Sequence, residues 1–423
     1  MTKAVSKNWH QYRTVTKNLP LRNKYDPLHT GANTICYQVD SGVKTDHPIF
    51  ENSNFENLYS HDGSFEDIHG HGTSMASLIV SDDLGVAPHA TIKVVDLLTG
   101  VNDVTEDRAI EALDAILADH LPTKEQTKVV FLPWITEKSD VIDAKVIELI
   151  DSNLVVVCSA GQKSVEASHF SPAGVERAVT VAATDHYDRA IDADHPWVNS
   201  NNGSNHGDAV NIFAPGCEIT VADINGFVTV INTVSTSASA AVVAGVCLNI
   251  IASNPALTAQ EVVDKLYGTA ISDIVYYADE SKYNAHHNRL VYQENEHYRE
   301  VWNVRGRLAE FTSGSGTHVV QLPVADDIDA IGSEDYAHIP EFVKIDSKQL
   351  IIETDKNAEP GKYQFILSAK SKDNKFNKSF YIDILDENGE LPRGKEFFTE
   401  VDDEGNYTTT NYLTFQSANV YIK

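Results

Sequence analysis

Cysteine is scarce: the 423 residues hold four, Cys36, Cys158, Cys217 and Cys247, far apart and each among small or apolar neighbours. No CxxC pair and no histidine at zinc spacing accompanies them, so buried free thiols are expected ahead of disulfides, and no metal ligand set is assigned. Positive charge is also short. Thirty-three Lys and Arg stand against 61 Asp and Glu, a formal net charge of −28 at pH 7. A field of that sign repels phosphate backbones and anionic headgroups, so neither nucleic acid nor a membrane surface is an expected partner. Uninterrupted apolar runs of the ~18–20 residues that span a bilayer are missing, and the opening MTKAVSKNWHQYRTV has no apolar signal-peptide core. What is there is globular: 42 % apolar and 22 % charged residues, with 23 Gly and 14 Pro, exclude collagen-like and wholly disordered chains.

From about residue 33, short apolar runs alternate with amphipathic stretches. TICYQVD (34–40), TIKVVDLL (91–98), KVVFLPWI (128–135), LVVVCSA (154–160) and AVTVAAT (178–184) are β-branched and apolar on both faces, as buried parallel strands are. Helical patterns lie between them, after His71 and over 107–121, 140–152, 237–253 and 258–270. The expected fold is α/β, a doubly wound, mostly parallel sheet with flanking helices, whose sites collect at the carboxyl ends of the strands. Beyond about residue 290 the pattern becomes alternating segments between turn clusters, as in THVVQLPV, QLIIETD and KSFYIDIL. That is the pattern of an all-β sandwich.

Three short segments carry groups suited to chemistry. In VDSGVKTDHP (39–48) a buried strand delivers Asp40 at its carboxyl end, where a carboxylate can orient a histidine. In DIHGHGTSMASLIV (67–80) Gly70 and Gly72 flank His71 just ahead of an amphipathic run, leaving open space at a helix start. In VSTSASAAVVAGVCL (234–248) Ser237 falls in the first turn of a small-residue helix, whose N-terminus favours developing negative charge. Singly, these residues are as well explained by a cap, a structural histidine and a loop aspartate.

Together, in the order Asp, His, Ser, they resemble the subtilisin-like serine proteases (subtilases, peptidase S8). Asp40-Ser41-Gly42-Val43 with Asp46-His47-Pro48 is similar to the family's aspartate motif, and His71-Gly72-Thr73 to its histidine motif. Ser235-Thr236-Ser237-Ala238 through Ala244-Gly245 follows the register of its serine motif. Gly85-Val86-Ala87-Pro88, Val156 to Gly161 and Ile212 to Gly216 resemble further family segments. Thirty-one residues separate Asp40 from His71 and 166 separate His71 from Ser237. The likeness runs from about Trp9 to about Tyr292, roughly two thirds of the chain.

The resemblance implies a serine endopeptidase. Ser237 would be the nucleophile, His71 the general base and Asp40 its orienting carboxylate, acting through an acyl-enzyme on a polypeptide substrate. It also implies an oxyanion hole made by the Ser237 N–H and, where the family has Asn, by Gln162. Substrate would bind along Leu132, Pro133, Trp134 and Ile135 and along Ser159, Ala160 and Gly161. Several departures point to attenuated activity: Gln162 is one methylene longer than Asn, the serine motif lacks its usual Gly, Met and Pro, and Pro133-Trp134 replace a Gly-rich segment and are expected to narrow the cleft. The alternative is a structural or docking component of a larger assembly, for example a phage virion, that keeps the fold with little turnover.

Domain expectations are a peptidase domain over 1–294, a linker over 295–304, an Ig-like β-sandwich over 305–390 and a C-terminal extension over 391–423, the last two suited to holding a protein partner. No signal peptide or pro-domain is visible, so an intracellular or particle-associated protein is expected. No cofactor is required. Structural calcium, common in the family, finds no matching ligand set and stays unassigned.

Overall fold

The computed structural model describes residues 7–17, 24–97, 104–193, 202–277, 287–295, 307–322, 330–332, 342–355, 358–371, 374–389, 396–401 and 407–411, with single positions at 21, 195, 198 and 282. The chain divides into two compact units: Val5–Lys17 with Asn23–Glu296, and Met1–Ala4 with Asn18–Arg22 and His297–Lys423. Apart from Asn295, the expected linker over 295–304 lies outside the described residues.

The first unit runs α1 (Trp9–Val15), β1 (Ile35–Asp40), β2 (Asn54–Ser60), α2 (His71–Val80), β3 (Thr91–Asp96), α3 (Glu106–His120), β4 (Lys128–Leu132), β5 (Thr136–Glu137), α4 (Asp140–Asp151), β6 (Leu154–Ser159), β7 (Phe170–Ser171), β8 (Val179–Thr184), β9 (Ile212–Pro215), β10 (Ile219–Asp223), β11 (Phe227–Ile231), α5 (Thr236–Ser253), α6 (Ala259–Thr269), β12 (Ile271–Ser272) and β13 (Arg289–Leu290). Nine of these strands form one sheet in the order β12-β13-β9-β8-β6-β4-β1-β3-β2, parallel throughout except for the β12–β13 pair. This is the doubly wound α/β fold expected from the sequence.

Each apolar run read as a strand becomes one, because residues buried on both faces of a parallel sheet need no polar alternation. KVVFLPWI stops early. β4 ends at Leu132 because Pro133 has no N–H to continue the ladder. The helices cover the sheet with periodic apolar faces. Ala109, Ala112, Leu113 and Ile116 of α3 and Ile142, Val146 and Leu149 of α4 enter one core with Val39, Val130 and Val156. Side chains set the helix starts: Ser139 accepts from Ile142 N–H, and Thr258 and Glu261 form a reciprocal capping box.

Helix α5 differs from the others. Every residue from Thr236 to Ile251 is buried. By length and hydropathy the helix could cross a bilayer, but 89 % of its most apolar window is covered by this unit, which makes it a core helix. All four cysteines are buried and free. Burial raises their thiol pKa values, to about 12 for Cys158, Cys217 and Cys247.

The second unit is all-β among its described residues. It comprises β14 (Arg307–Thr312), β15 (Thr317–Gln321), β16 (Ala330–Gly332), β17 (Val343–Asp346), β18 (Gln349–Glu353), β19 (Gly361–Ser371), β20 (Asn374–Leu385), β21 (Glu396–Val401) and β22 (Tyr407–Asn411). They form a six-stranded and a three-stranded sheet, and β21 and β22, from the region read as an extension, join the larger one.

Candidate active site

The sheet order reverses between β1 and β4, since the chain builds outward from β1 to β3 and β2 on one side and from β4 to β9 on the other. At such a point the flanking connections diverge and leave a crevice at the carboxyl ends of the strands. Asp40 is the last residue of β1 and Pro133 follows β4, so both lie at that crevice.

His71 is the first residue of α2. The turn that presents it requires Gly70 in a left-handed conformation, φ +94°, and Gly72 with no side chain, because a Cβ there would lie 2.0 Å from the Gly42 carbonyl oxygen. The imidazole Nδ1 stands 2.8 and 2.9 Å from the two Asp40 carboxylate oxygens. A carboxylate can only accept, so Nδ1 carries the proton and Nε2 is the basic nitrogen of the neutral ring. Asp40 is 1 % exposed, with Oδ1 also accepting from the Ser41 N–H at 2.8 Å. Burial pulls the His71 pKa down, but the charge and hydrogen bond of Asp40, with the charge of Asp67, outweigh it and hold the imidazole above its ordinary value.

Asp67, which the sequence reading passed over, organises this turn. It is 3 % exposed. Its Oδ1 accepts from Ser41 Oγ (2.9 Å), His69 N (3.0 Å) and Gly70 N (2.7 Å), and its Oδ2 from Thr73 N (2.8 Å) and Thr73 Oγ1 (2.6 Å). Bonds to the backbone N–H two and three residues on are the mark of an Asx turn, and Asp ahead of a Gly-rich helix start is its sequence signal.

Ser237 lies in the first turn of α5, which packs against α2. Its hydroxyl is not on His71. It donates to the Pro133 carbonyl at 2.8 Å, so Asp40 and His71 are hydrogen-bonded to each other while the serine is held by the chain after β4. The Ser237 N–H has no acceptor within the helix and points out of its N-terminus. Gln162 approaches the same terminus: its Oε1 accepts from the Thr236 N–H at 2.9 Å, and Gly161 N–H donates to Thr236 Oγ1 at 3.1 Å. With Oε1 so engaged, the Gln162 amide nitrogen is the end left to donate elsewhere.

The two segments expected to hold substrate are mostly interior. Leu132, Ala160 and Ser159 are 0 %, 0 % and 2 % exposed. Trp134 was expected to narrow the cleft, yet its indole is 7 % exposed, packs among Val39, Leu97 and Leu132, and donates to the Val39 carbonyl at 3.1 Å. Its bulk goes into the core, because that carbonyl offers the indole N–H a buried acceptor. Ile135 instead packs directly against Gly161, where an added Cβ would meet its Cδ1, so the two segments touch through these two residues.

Comparison with known proteins agrees with this architecture. The profile of the Subtilase family matches residues 32–338. The chain is 29 % identical over 270 residues to an extracellular serine proteinase of Thermus sp. (strain Rt41A), covering 63 % of this chain and 62 % of that one. It is 31 % identical over 261 residues to a subtilase-type proteinase of the sexual differentiation process in Schizosaccharomyces pombe, covering 60 % of this chain and 54 % of that one. This chain therefore spans about three fifths or less of either relative's length. The crystal structure of a cold adapted subtilisin-like serine proteinase superposes with a TM-score of 0.60 at 26 % identity, over 68 % of this chain and 98 % of that one. A family profile matched along most of the sequence, on a sheet whose switch point holds the paired Asp40 and His71, establishes that this chain belongs to the subtilase family.

Proposed function

We propose that the protein is a serine endopeptidase whose triad is Asp40, His71 and Ser237. The observation that carries this reading is the two-point contact of His71 Nδ1 with the buried Asp40 carboxylate. That contact fixes the tautomer a general base needs and leaves Nε2 facing outward, on a side chain that is 30 % exposed. In the reaction, the Ser237 hydroxyl turns from the Pro133 carbonyl to His71 Nε2, loses its proton there and attacks the peptide carbonyl. His71 returns that proton to the leaving amine, and water repeats the sequence on the acyl-enzyme.

The oxyanion is received at the N-terminus of α5 by the Ser237 N–H and by the Gln162 amide nitrogen. Turnover is attenuated, because the resting serine must first give up its bond to Pro133 and because Ile135, packed on Gly161, leaves little room between the two substrate segments. Polypeptide is the substrate class.

The test is labelling by a fluorophosphonate probe together with cleavage of an unbiased peptide library. Labelling of the wild type that vanishes in Ser237→Ala, accompanied by cleavage, is the expected result. A folded wild-type protein that takes no label would refute the proposal and leave a docking component with an idle Asp–His pair.

A further inference from the structure

We infer that the carboxyl ends of β2 and β3 form a binding site for a divalent transition-metal ion of the Zn²⁺ type, held by His61, Asp62 and Asp96. Ser60 and Asp96 face each other in register at the ends of their strands, and the His61 N–H donates to the Asp96 carbonyl at 3.2 Å. This pairing brings one ligand atom from each of His61, Asp62 and Asp96 within 4.8 Å of the others.

Hydrogen bonding inside the protein leaves part of this cluster unsatisfied. The His61 side chain is 7 % exposed and that of Asp96 6 %. Both His61 ring nitrogens and Asp96 Oδ1 are nevertheless buried without a hydrogen-bond partner. His61 Nδ1 and Asp96 Oδ2 approach to 3.5 Å, longer than an ordinary hydrogen bond. A buried imidazole with neither nitrogen satisfied costs folding free energy unless something occupies the gap.

The donor chemistry selects the ion. Two carboxylates and a neutral imidazole supply two negative charges and one nitrogen, which suits a divalent first-row metal and does not suit calcium, which takes oxygen ligands alone. Metal–ligand bonds of ~2.0–2.2 Å require the three side chains to draw together by about 1 Å, and the exposed Asp62 leaves a side open to water. Ser60 Oγ lies 3.0 Å from Asp62 Oδ1 and 3.1 Å from Asp96 Oδ2, so its one proton can be donated to either carboxylate. The bound ion would clamp β3 to the start of the segment that ends at Asp67.

The experiment uses the full chain carrying Ser237→Ala to prevent self-digestion, stripped with chelator and titrated with Zn²⁺ by calorimetry and with Co²⁺ by visible absorption. One equivalent of Zn²⁺ with micromolar or tighter affinity is expected, together with a Co²⁺ ligand-field band. His61→Ala and Asp62→Asn should each weaken binding by about tenfold or more, and His61→Ala should remove the band. Asp62 is exposed, so its variant keeps the fold even if His61→Ala does not. Absence of stoichiometric uptake would overturn the assignment and identify a plain His61–Asp96 ion pair. Uptake unchanged in both variants would overturn it in favour of another of the 17 histidines, and displacement by equimolar Ca²⁺ would overturn its nitrogen ligand.

Discussion

Asp67→Asn should separate the architecture of the His71 turn from its chemistry. The amide keeps one acceptor oxygen, which can stay on Ser41 Oγ, His69 N–H and Gly70 N–H, and puts an NH₂ where Oδ2 now accepts from Thr73. The Thr73 hydroxyl can rotate to accept, but the Thr73 N–H is left facing a donor. A buried unsatisfied donor costs about 1–3 kcal/mol, and losing the charge on the remaining bonds adds roughly 1 kcal/mol, for a total of about 2–4 kcal/mol. That is a large share of a stability of ~5–15 kcal/mol, yet short of unfolding the chain. Urea denaturation in the Ser237→Ala background measures it.

The same substitution removes a charge that helps hold the His71 pKa above its ordinary value. The base works unprotonated, so the acid limb of fluorophosphonate labelling, followed with Ser237 intact, should move to lower pH. A variant at once less stable and better labelled in acid is the expected signature. A stability loss below about 0.5 kcal/mol, or an acid limb that stays in place or moves up, would refute the account of Asp67.

Three further outcomes are expected. Gln162→Glu keeps the acceptor for Thr236 N–H and deletes the amide donor, so kcat should fall by about 10²–10³ with KM little changed, the scale measured for losing one oxyanion donor in subtilisin itself. Ile135→Gly should open the space over Gly161 and raise kcat/KM for peptides with large side chains at the cleaved bond by about 10–100-fold, read from the same peptide library. His10 is fully buried with Nε2 on the Leu84 carbonyl at 2.8 Å, and burial lowers its pKa to about 4. Below about pH 6.5 the unfolded chain takes a proton that the folded chain refuses, so stability falls by roughly 3 kcal/mol as pH drops from 6.5 to 4; His10→Gln should flatten urea midpoints across that window.

The strands of the sheet were legible because burial on both faces writes itself as β-branched runs, and the helices because their starts carry Ser139, Ser235 and Thr258. The pairing of Asp40 with His71 was legible from the motifs that hold them. The partner of Ser237 was not: it is a backbone carbonyl, and the side chain of Pro133 says nothing about where its oxygen points. Trp134 was misjudged for a related reason, since the direction of a side chain just past a strand depends on where the ladder stops. Two features were readable and missed. Asp67 carries the Asx-turn pattern, and Asn225-Gly226, with Gly226 at φ +88°, marks the hairpin between β10 and β11.

The enclosure of α5 from Thr236 to Ile251 bears on when the site can form as the protein is made. Asp40 and His71 come early in the chain, whereas the helix bearing Ser237 is buried all round against β4, β6, β8, β9 and α2, all of which precede it. On the proposed triad, a chain that has made Asp40 and His71 but not yet buried α5 holds a base without its nucleophile. On that reading the site is complete only once residues 236–251 are covered by the strands and helices that pack on them.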